Sequence, residues 1–367
     1  MKKTAIIITT ISIIIASVFL LQNRNNPSPV NDKPTVKIGV SLPLTGFAAY
    51  VGEPASHAAQ MAFDKWNTKG TKYNYKLIIE DDRLSVKDTA TAANKLVNLD
   101  KVNAAITMWG IAAPIFRELA SKSNIPHITC SWGSWADGGN TFNNTTSAQE
   151  LSNKMIKLFN LRGVKKVGFV SQLSKSDEEM KEIFVETFKN NNIEVAWTEA
   201  FQMGSKDFRT FWAKTAQKPV DIIVILMVPE DFYAFLKQKR EAGNKMDFTT
   251  VDYFSSMDKT LIEGKMYISS SIGNKDFEEK INQRVRAGLG DCLANIYDNV
   301  DMMIYAFENA KMENGKIPTT EAVTEVLRNL KGYDGVVGKL TTNKDGHINS
   351  PAFIREIKNN NSVVIEE

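Results

Sequence analysis

From Val36 onward, short runs of branched apolar residues alternate with longer stretches in which apolar residues recur every three to four positions. "VKIGVSL" predicts a strand, and "EPASHAAQMAFDKW" predicts a helix with Pro54 at its start and Ala58, Met61 and Ala62 on one face. The pair repeats in "YKLIIE" and "KDTATAANKLVNL", then in "NAAITM", "APIFRELASK" and "IPHITC". Strand and helix exchanged at this spacing predict a parallel sheet covered on both faces. The polar stretch "ADGGNTFNNTTS", Ala136 to Ser147, interrupts the rhythm. A second series follows: helix "AQELSNKMIKLFN", strand "KVGFV", helix "DEEMKEIFVETFKN", strand "IEVAW", helix "DFRTFWAKT", strand "VDIIVILM" and helix "PEDFYAFLKQKREAG". Two α/β lobes are therefore expected. After "GKMYISSS" the pattern predicts longer helices around Asp291 to Asn309 and Thr319 to Leu330, then a hairpin-like end, "GKLTTNKDGHI".

The N-terminus follows another pattern. Lys2 and Lys3 precede an uncharged apolar run from Ala5 to Leu21, and "QNRNNPSPVNDKP" then turns polar and proline-rich. A run that is apolar on every face, beside lysines at the extreme terminus, reads as an export element rather than a core helix. It falls just short of the roughly 20 residues that span a bilayer. No good A-x-A site follows, and no cysteine is placed for lipid attachment. Residues 1–21 are therefore a signal peptide or an N-terminal membrane anchor, with the uncleaved anchor favoured, and residues 22–35 are a flexible tether. Both readings put the remainder outside the cytoplasm.

Composition narrows the function classes. The 367 residues are 43% hydrophobic, which is ordinary for a globular protein large enough for two domains. The net charge of +3 is spread without a basic stripe, so nucleic acid is not an expected partner. Cys130 and Cys292 lack the neighbours of zinc or redox motifs and read as two isolated buried thiols. The first strand-to-helix turn, "SLPLTGFAAYVGEP", carries a proline and widely separated glycines where a dinucleotide site needs clustered ones. "GLG" at Gly288 to Gly290 follows no strand. No P-loop and no G-x-S-x-G elbow occurs. The three histidines, His57, His127 and His347, offer too few members for a metal cluster or a serine triad, and "EDD", Glu80 to Asp82, reads as solvated loop carboxylates. No catalytic residue, cofactor or metal is expected, so the chain is read as a non-enzyme.

"KIGVSLPLTGFAAYVGEPASHAAQMAFDKWN" resembles the opening of the extracytoplasmic solute-binding proteins of fold type I, the branch that includes the leucine/isoleucine/valine-binding proteins. "LIIEDDRLSVKDTATAANKLV", "TTSAQELSNKM", "DFRTFWAK", "PEDFYAFLKQKREAG" and "GVVGKLTTNKDGHI" continue the similarity in order, over nearly all of Val36 to Val364. The resemblance implies two doubly wound parallel-sheet lobes joined by a three-strand hinge, with a small solute bound between them. Residues 36–142 and 271–338 would form the first lobe, and residues 143–270 and 339–367 the second. It also implies delivery of the solute to an ABC permease in the membrane. A sensory receptor reporting to a membrane signalling partner is the alternative.

Ligands in such sheets sit beyond the carboxyl ends of strands, which selects four loops. In "TGFAAY", Tyr50 either meets the ligand or belongs to a structural turn. In "TMWGIAAP" the resemblance implies a carboxylate held by a serine hydroxyl and by amides at a helix start. Gly110, Ile111 and Ala112 stand there instead, after Trp109, with Pro114 opening the helix. In "HITCSWGSW", Trp132 and Gly133 fall where the family carries a small residue and a threonine, and Ser131 and Ser134 flank them. Trp109, Trp132 and Trp135 are expected to converge as an aromatic wall. In "TTVDYFSS" the resemblance places Asp252 as the acid for an ammonium group, and Tyr253 beside it as a stacking ring. Ser176 and Asp177 replace the family's tyrosine-glycine pair after "VGFV". Lost hydroxyls and gained rings point away from a plain branched-chain amino acid.

Overall fold

A computed structural model describes residues 33–366 apart from Phe47, Ser134, 253–258, Ser271, 286–291 and 313–315. The N-terminal run, Ser134 and Tyr253 therefore lie outside the described residues. Among the described residues no helix is long and apolar enough to cross a membrane. Thr35 to Glu367 form one compact unit.

Its first half contains β1 (Thr35–Leu42), α1 (Ala49–Asn67), β2 (Asn74–Asp81), α2 (Val86–Asn94), β3 (Ala104–Met108), α3 (Trp109–Ser123), β4 (His127–Cys130) and β5 (Thr141–Thr145). The second half begins with α4 (Ala148–Arg162), β6 (Lys166–Gln172), α5 (Lys175–Asn190), β7 (Glu194–Phe201), α6 (Arg209–Thr215), β8 (Ile222–Ile225), α7 (Pro229–Glu241), β9 (Asp247–Thr250) and β10 (Met266–Ser270). The chain then returns through α8 (Lys275–Asn282), α9 (Leu293–Asn309), α10 (Thr320–Arg328), β11 (Tyr333–Gly335), β12 (Gly338–Thr342) and β13 (His347–Asn349), and ends in β14 (Ala352–Lys358) and β15 (Asn361–Glu366). Local chemistry fixes several starts: Ser147, Ser174 and Thr319 accept the amides of Glu150, Asp177 and Ala322 at 3.1, 3.1 and 3.3 Å, capping α4, α5 and α10.

Eight strands form one sheet in the order β11–β12–β13–β5–β4–β3–β1–β2, parallel from β13 to β2. One face packs on α1 and α9 through residues such as Ile38, Val40, Ile106, Val300 and Met303, and the other on α2 and α3 through Ala93, Ala105 and Phe116. A four-stranded parallel sheet, β7–β6–β8–β9, is sandwiched the same way, with Phe169, Phe184 and Phe188 on one face and Trp212, Ile223 and Phe235 on the other. An antiparallel sheet, β10–β14–β15, adjoins it through the Val251–Ile268 bridge. This is the type I architecture expected from the resemblance.

The chain passes between the two halves three times, after β5, after β10 and between β13 and β14. Two of these crossings are stitched together by buried amides. Asn295 on α9 donates to the Asn144 carbonyl at 3.2 Å and to Ser350 Oγ at 3.1 Å, Asn144 Nδ2 donates to Asn299 Oδ1 at 2.8 Å, and Thr146 donates to the Pro351 carbonyl at 3.2 Å.

Five sequence expectations change. The polar stretch before Ser147 contains β5, which is buried because the amides of Asn143 and Asn144 find partners inside. The hairpin of β12 and β13 hydrogen-bonds into the eight-stranded sheet, whereas 339–349 was read with the second lobe; the β13–β5 register decides this, and sequence does not display it. Helices α1 and α3 begin at Ala49 and Trp109, so Pro54 and Pro114 lie inside them rather than opening them. Asp81 and Asp82 are latches: Asp81 accepts from the Leu44 amide at 2.9 Å, and Asp82, 1% exposed, accepts from Ser41 Oγ at 2.8 Å. Finally, Cys130 and Cys292 form a disulfide with Cα atoms 5.8 Å apart across 162 positions. The return of α9 onto the first sheet sets its start beside the end of β4, so the two cysteines are a pair. Such a bridge suits an oxidising compartment.

Candidate ligand-binding cleft

A cavity of about 260 Å³ opens between the two halves at the carboxyl ends of the strands. The eight-stranded half contributes Trp109, Gly110, Ile111, Ser131, Trp132 and Trp135, with Leu84 at its edge. The other half contributes Gln172, Ser174, Ser176, Asp177, Met203, Met227, Val228, Val251 and Asp252. Its size is just under the roughly 300–1,000 Å³ of sites for drug-sized ligands, which sets an amino-acid scale for an occupant.

The three indoles converge as expected, and their loop is built to hold them. Asn143 on β5 donates to the carbonyls of Ser131 and Gly133 at 2.8 and 3.2 Å and accepts the Ser131 amide at 3.2 Å. Trp135 Nε1 donates to the Trp132 carbonyl at 2.6 Å. Gly133 has φ of +105°, and a methyl group there would come within 2.9 Å of Trp135 Nε1, so both conformation and space require glycine. Trp109 takes φ of +67° at the start of α3, a strained backbone for a bulky residue. The first turn of α3 has no side-chain cap, and its residues Trp109, Gly110 and Ile111 line the cavity, which sets the partial positive charge of the helix start at the cavity. Gly110 sits between the halves: a methyl group on it would lie 3.6 Å from both Ser131 Oγ and Ser176 Oγ.

Asp252 also has positive φ, +58°, and is 7% exposed. Its carboxylate accepts from the Ser270 amide at 3.1 Å and from Ser270 Oγ at 2.8 Å. Burial raises its pKa to about 6, against the lowering effects of Ser270, Ser269 and Arg355. Asp177 lies at the start of α5, where Ser174 Oγ donates to its carboxylate, and burial pushes its carboxyl upward too.

Of the residues read from sequence, Trp109, Gly110, Ser131, Trp132, Ser176 and Asp252 meet in this cavity. Ala112 does not: it is 2% exposed in the core between the sheet and α3. Tyr50 does not line the cavity either: it lies in the first turn of α1 and packs against the core of the first half. Sequence reasoning missed Gln172, which is 4% exposed, donates to Asp231 at 2.8 Å and accepts the Val228 amide at 3.1 Å, setting Met227 and Val228 at the cavity. Its place at the end of "KVGFVSQ", beyond a parallel strand, was the available signal. His127 is a core residue bonded to Thr107 at 2.9 Å, and burial lowers its pKa to about 3.

A larger cavity of about 840 Å³ lies on the first half, lined by Lys65, Trp66, Lys69, Tyr305 and Tyr333 among others. It gathers at the C-terminal ends of α1, α9 and α10, away from the strand ends where ligands bind in open parallel sheets.

A family model described as periplasmic binding protein matches residues 35–362. The chain is 23% identical over 348 residues to the Leu/Ile/Val-binding protein BraC3 of Rhizobium johnstonii, covering 87% of this chain and 90% of the relative. Among solved structures, the substrate-binding protein LivJ of Streptococcus pneumoniae in complex with isoleucine is 20% identical with a TM-score of 0.78, covering 91% of this chain and all (100%) of that one. An R. palustris solute-binding protein in complex with benzoate is 15% identical with a TM-score of 0.79, covering 90% and 96%. These structural matches establish the fold.

Proposed function

The chain belongs to the periplasmic binding protein family, and from that premise we propose that it captures a small solute, an amino-acid-like compound, an amide, or an aromatic or amine compound, between its lobes and delivers it to an ABC importer. The family is extracytoplasmic and binds solutes without transforming them. The observation that carries the reading is the cavity in which Trp109, Trp132 and Trp135 from one half face Asp252 from the other. Contacts from both halves exist together only when the lobes are closed, so the solute shifts the open-closed equilibrium by its differential affinity, and the permease reads closure.

In this reading the indoles form the wall, Ser131, Ser176 and the first amides of α3 fix polar groups, and Asp252 takes an ammonium. In place of the bounds 36–142 with 271–338 and 143–270 with 339–367, residues up to 145 with 271–349 are taken to move as one lobe and 146–270 with 350–367 as the other, a division that the pairing of β5 and β13 in the eight-stranded sheet supports. Ser134 and Tyr253 remain candidate contacts, and the Ala5–Leu21 run holds the protein at the membrane that contains its permease.

The test is a thermal-shift screen of the chain from Asn31 onward with amino acids, amides, polyamines and aromatic acids. A ligand at 100 times its Kd stabilises the folded state by about 2.7 kcal/mol. Asp252→Asn should weaken an amine hit at least tenfold, about 1.4 kcal/mol. A screen in which no solute raises Tm refutes the solute reading, and an unchanged affinity in the variant removes the ammonium role.

A further inference from the structure

The charges around the indoles are one-sided. Among the described residues lining the cavity the only ionisable groups are two acids, Asp177 and Asp252; no lysine, arginine or histidine is present. Arg355 on β14 pulls the Asp252 pKa part of the way down, but it does not line the cavity.

We propose that the cleft selects a small organic cation of net positive charge, seated against Trp109, Trp132 and Trp135 and neutralised by Asp177 and Asp252. The inference rests on this cavity being the solute site, and it commits to a charge the solute reading alone leaves open. Indoles attract cations through their ring quadrupoles, more strongly in a desolvated pocket. Two acids without a counter-ion in the cavity carry an unfavourable charge, seen in the upward pKa of both, and a bound cation removes it. A neutral zwitterion would satisfy the amides of α3 and one acid, leaving the other carboxylate unmatched. An anion such as benzoate would meet both acids directly. The shared requirement is net positive charge, met by an amine or quaternary ammonium, or by a basic amino acid whose carboxylate rests on the start of α3. The acid-lined surroundings would also steer such a ligand in, with an ionic-strength dependence.

The experiment titrates the purified protein with two pairs, choline against 3,3-dimethylbutan-1-ol and L-arginine against L-citrulline, and with benzoate and L-leucine. Tryptophan emission and calorimetry report binding, since three of the six tryptophans line the cavity. At least one cation should bind tenfold or more tightly than its uncharged partner, weaken as salt rises, and lose at least tenfold in the Asp177→Asn/Asp252→Asn protein. Circular dichroism and Tm of that protein establish that it is folded; Asp252→Asn alone should lose at least tenfold and Asp177→Asn alone at least threefold. Neither cation exceeding its partner overturns the proposal, whether all bind alike or none does. Leucine or benzoate binding more tightly than both cations also overturns it, while leaving the solute reading standing.

Discussion

Breaking the Cys130–Cys292 bridge tests how the first lobe and the tryptophan loop are held. The bridge joins the last residue of β4 to the residue before α9, across 162 positions, and both cysteines are buried. Closing a loop of that length removes conformational entropy from the unfolded chain worth roughly 5 kcal/mol on the chain-entropy model. For a domain of this size that corresponds to a fall in Tm of roughly 10 °C. Cys130 immediately precedes Ser131, so its release also loosens the loop that Asn143 holds and should weaken any solute that contacts Trp132. The assay compares Tm of the oxidised protein, the dithiothreitol-treated protein and the Cys130→Ala/Cys292→Ala variant, with thiol titration of the denatured, unreduced protein. The expected results are no titratable thiol before reduction and a matching drop in Tm for the reduced and substituted forms. Two titratable thiols in the denatured protein before reduction would refute the pairing and restore the isolated thiols expected from sequence.

Two other perturbations act on the cavity itself. Because Asp252 titrates near 6 when the site is empty, its ionised fraction falls as pH drops, and an amine held by it should bind about tenfold more weakly at pH 5 than at pH 7; a flat calorimetric profile across that range excludes Asp252 as the ammonium partner. Gly110→Leu keeps a good helix former in α3 yet extends a side chain between Ser131 and Ser176, so it should cost about 100-fold in affinity, ~2.7 kcal/mol, with Tm retained. Gly110→Ala, whose methyl fits at 3.6 Å, should cost less than threefold, and a Leu variant that binds normally would mean the solute lies elsewhere.

The α/β alternation was legible because parallel strands buried on both faces read as continuous apolar runs, as in "VDIIVILM", and their helices as amphipathic ones. The strand β5 was not, because "TFNNT" is polar and its burial depends on partners distant in the chain, Asn144 with Asn295 and Asn299, and Asn143 with the tryptophan loop. The disulfide and the placement of β12 and β13 were hidden for the same reason: both follow from the return of the chain to the first sheet. Within the site, Trp109 and Trp132 could be read because each follows a recognisable strand and has no local folding task, whereas Asp252 was placed by the family resemblance. Ala112 was misassigned because α3 starts at Trp109 and turns that position into the core. Gln172 was overlooked because its role is to orient Val228 and to meet Asp231, contacts between strand ends that only the packed sheet reveals.

A crystal structure of the protein with its tightest screening hit bound decides where the solute sits. An unaltered solute should be enclosed between Trp109, Trp132 and Trp135 on one side and Asp252 on the other, with Gly110 at the seam. Density for the solute in the lysine-edged cavity beside Trp66 and Tyr333, with the interlobe cavity empty, would contradict it.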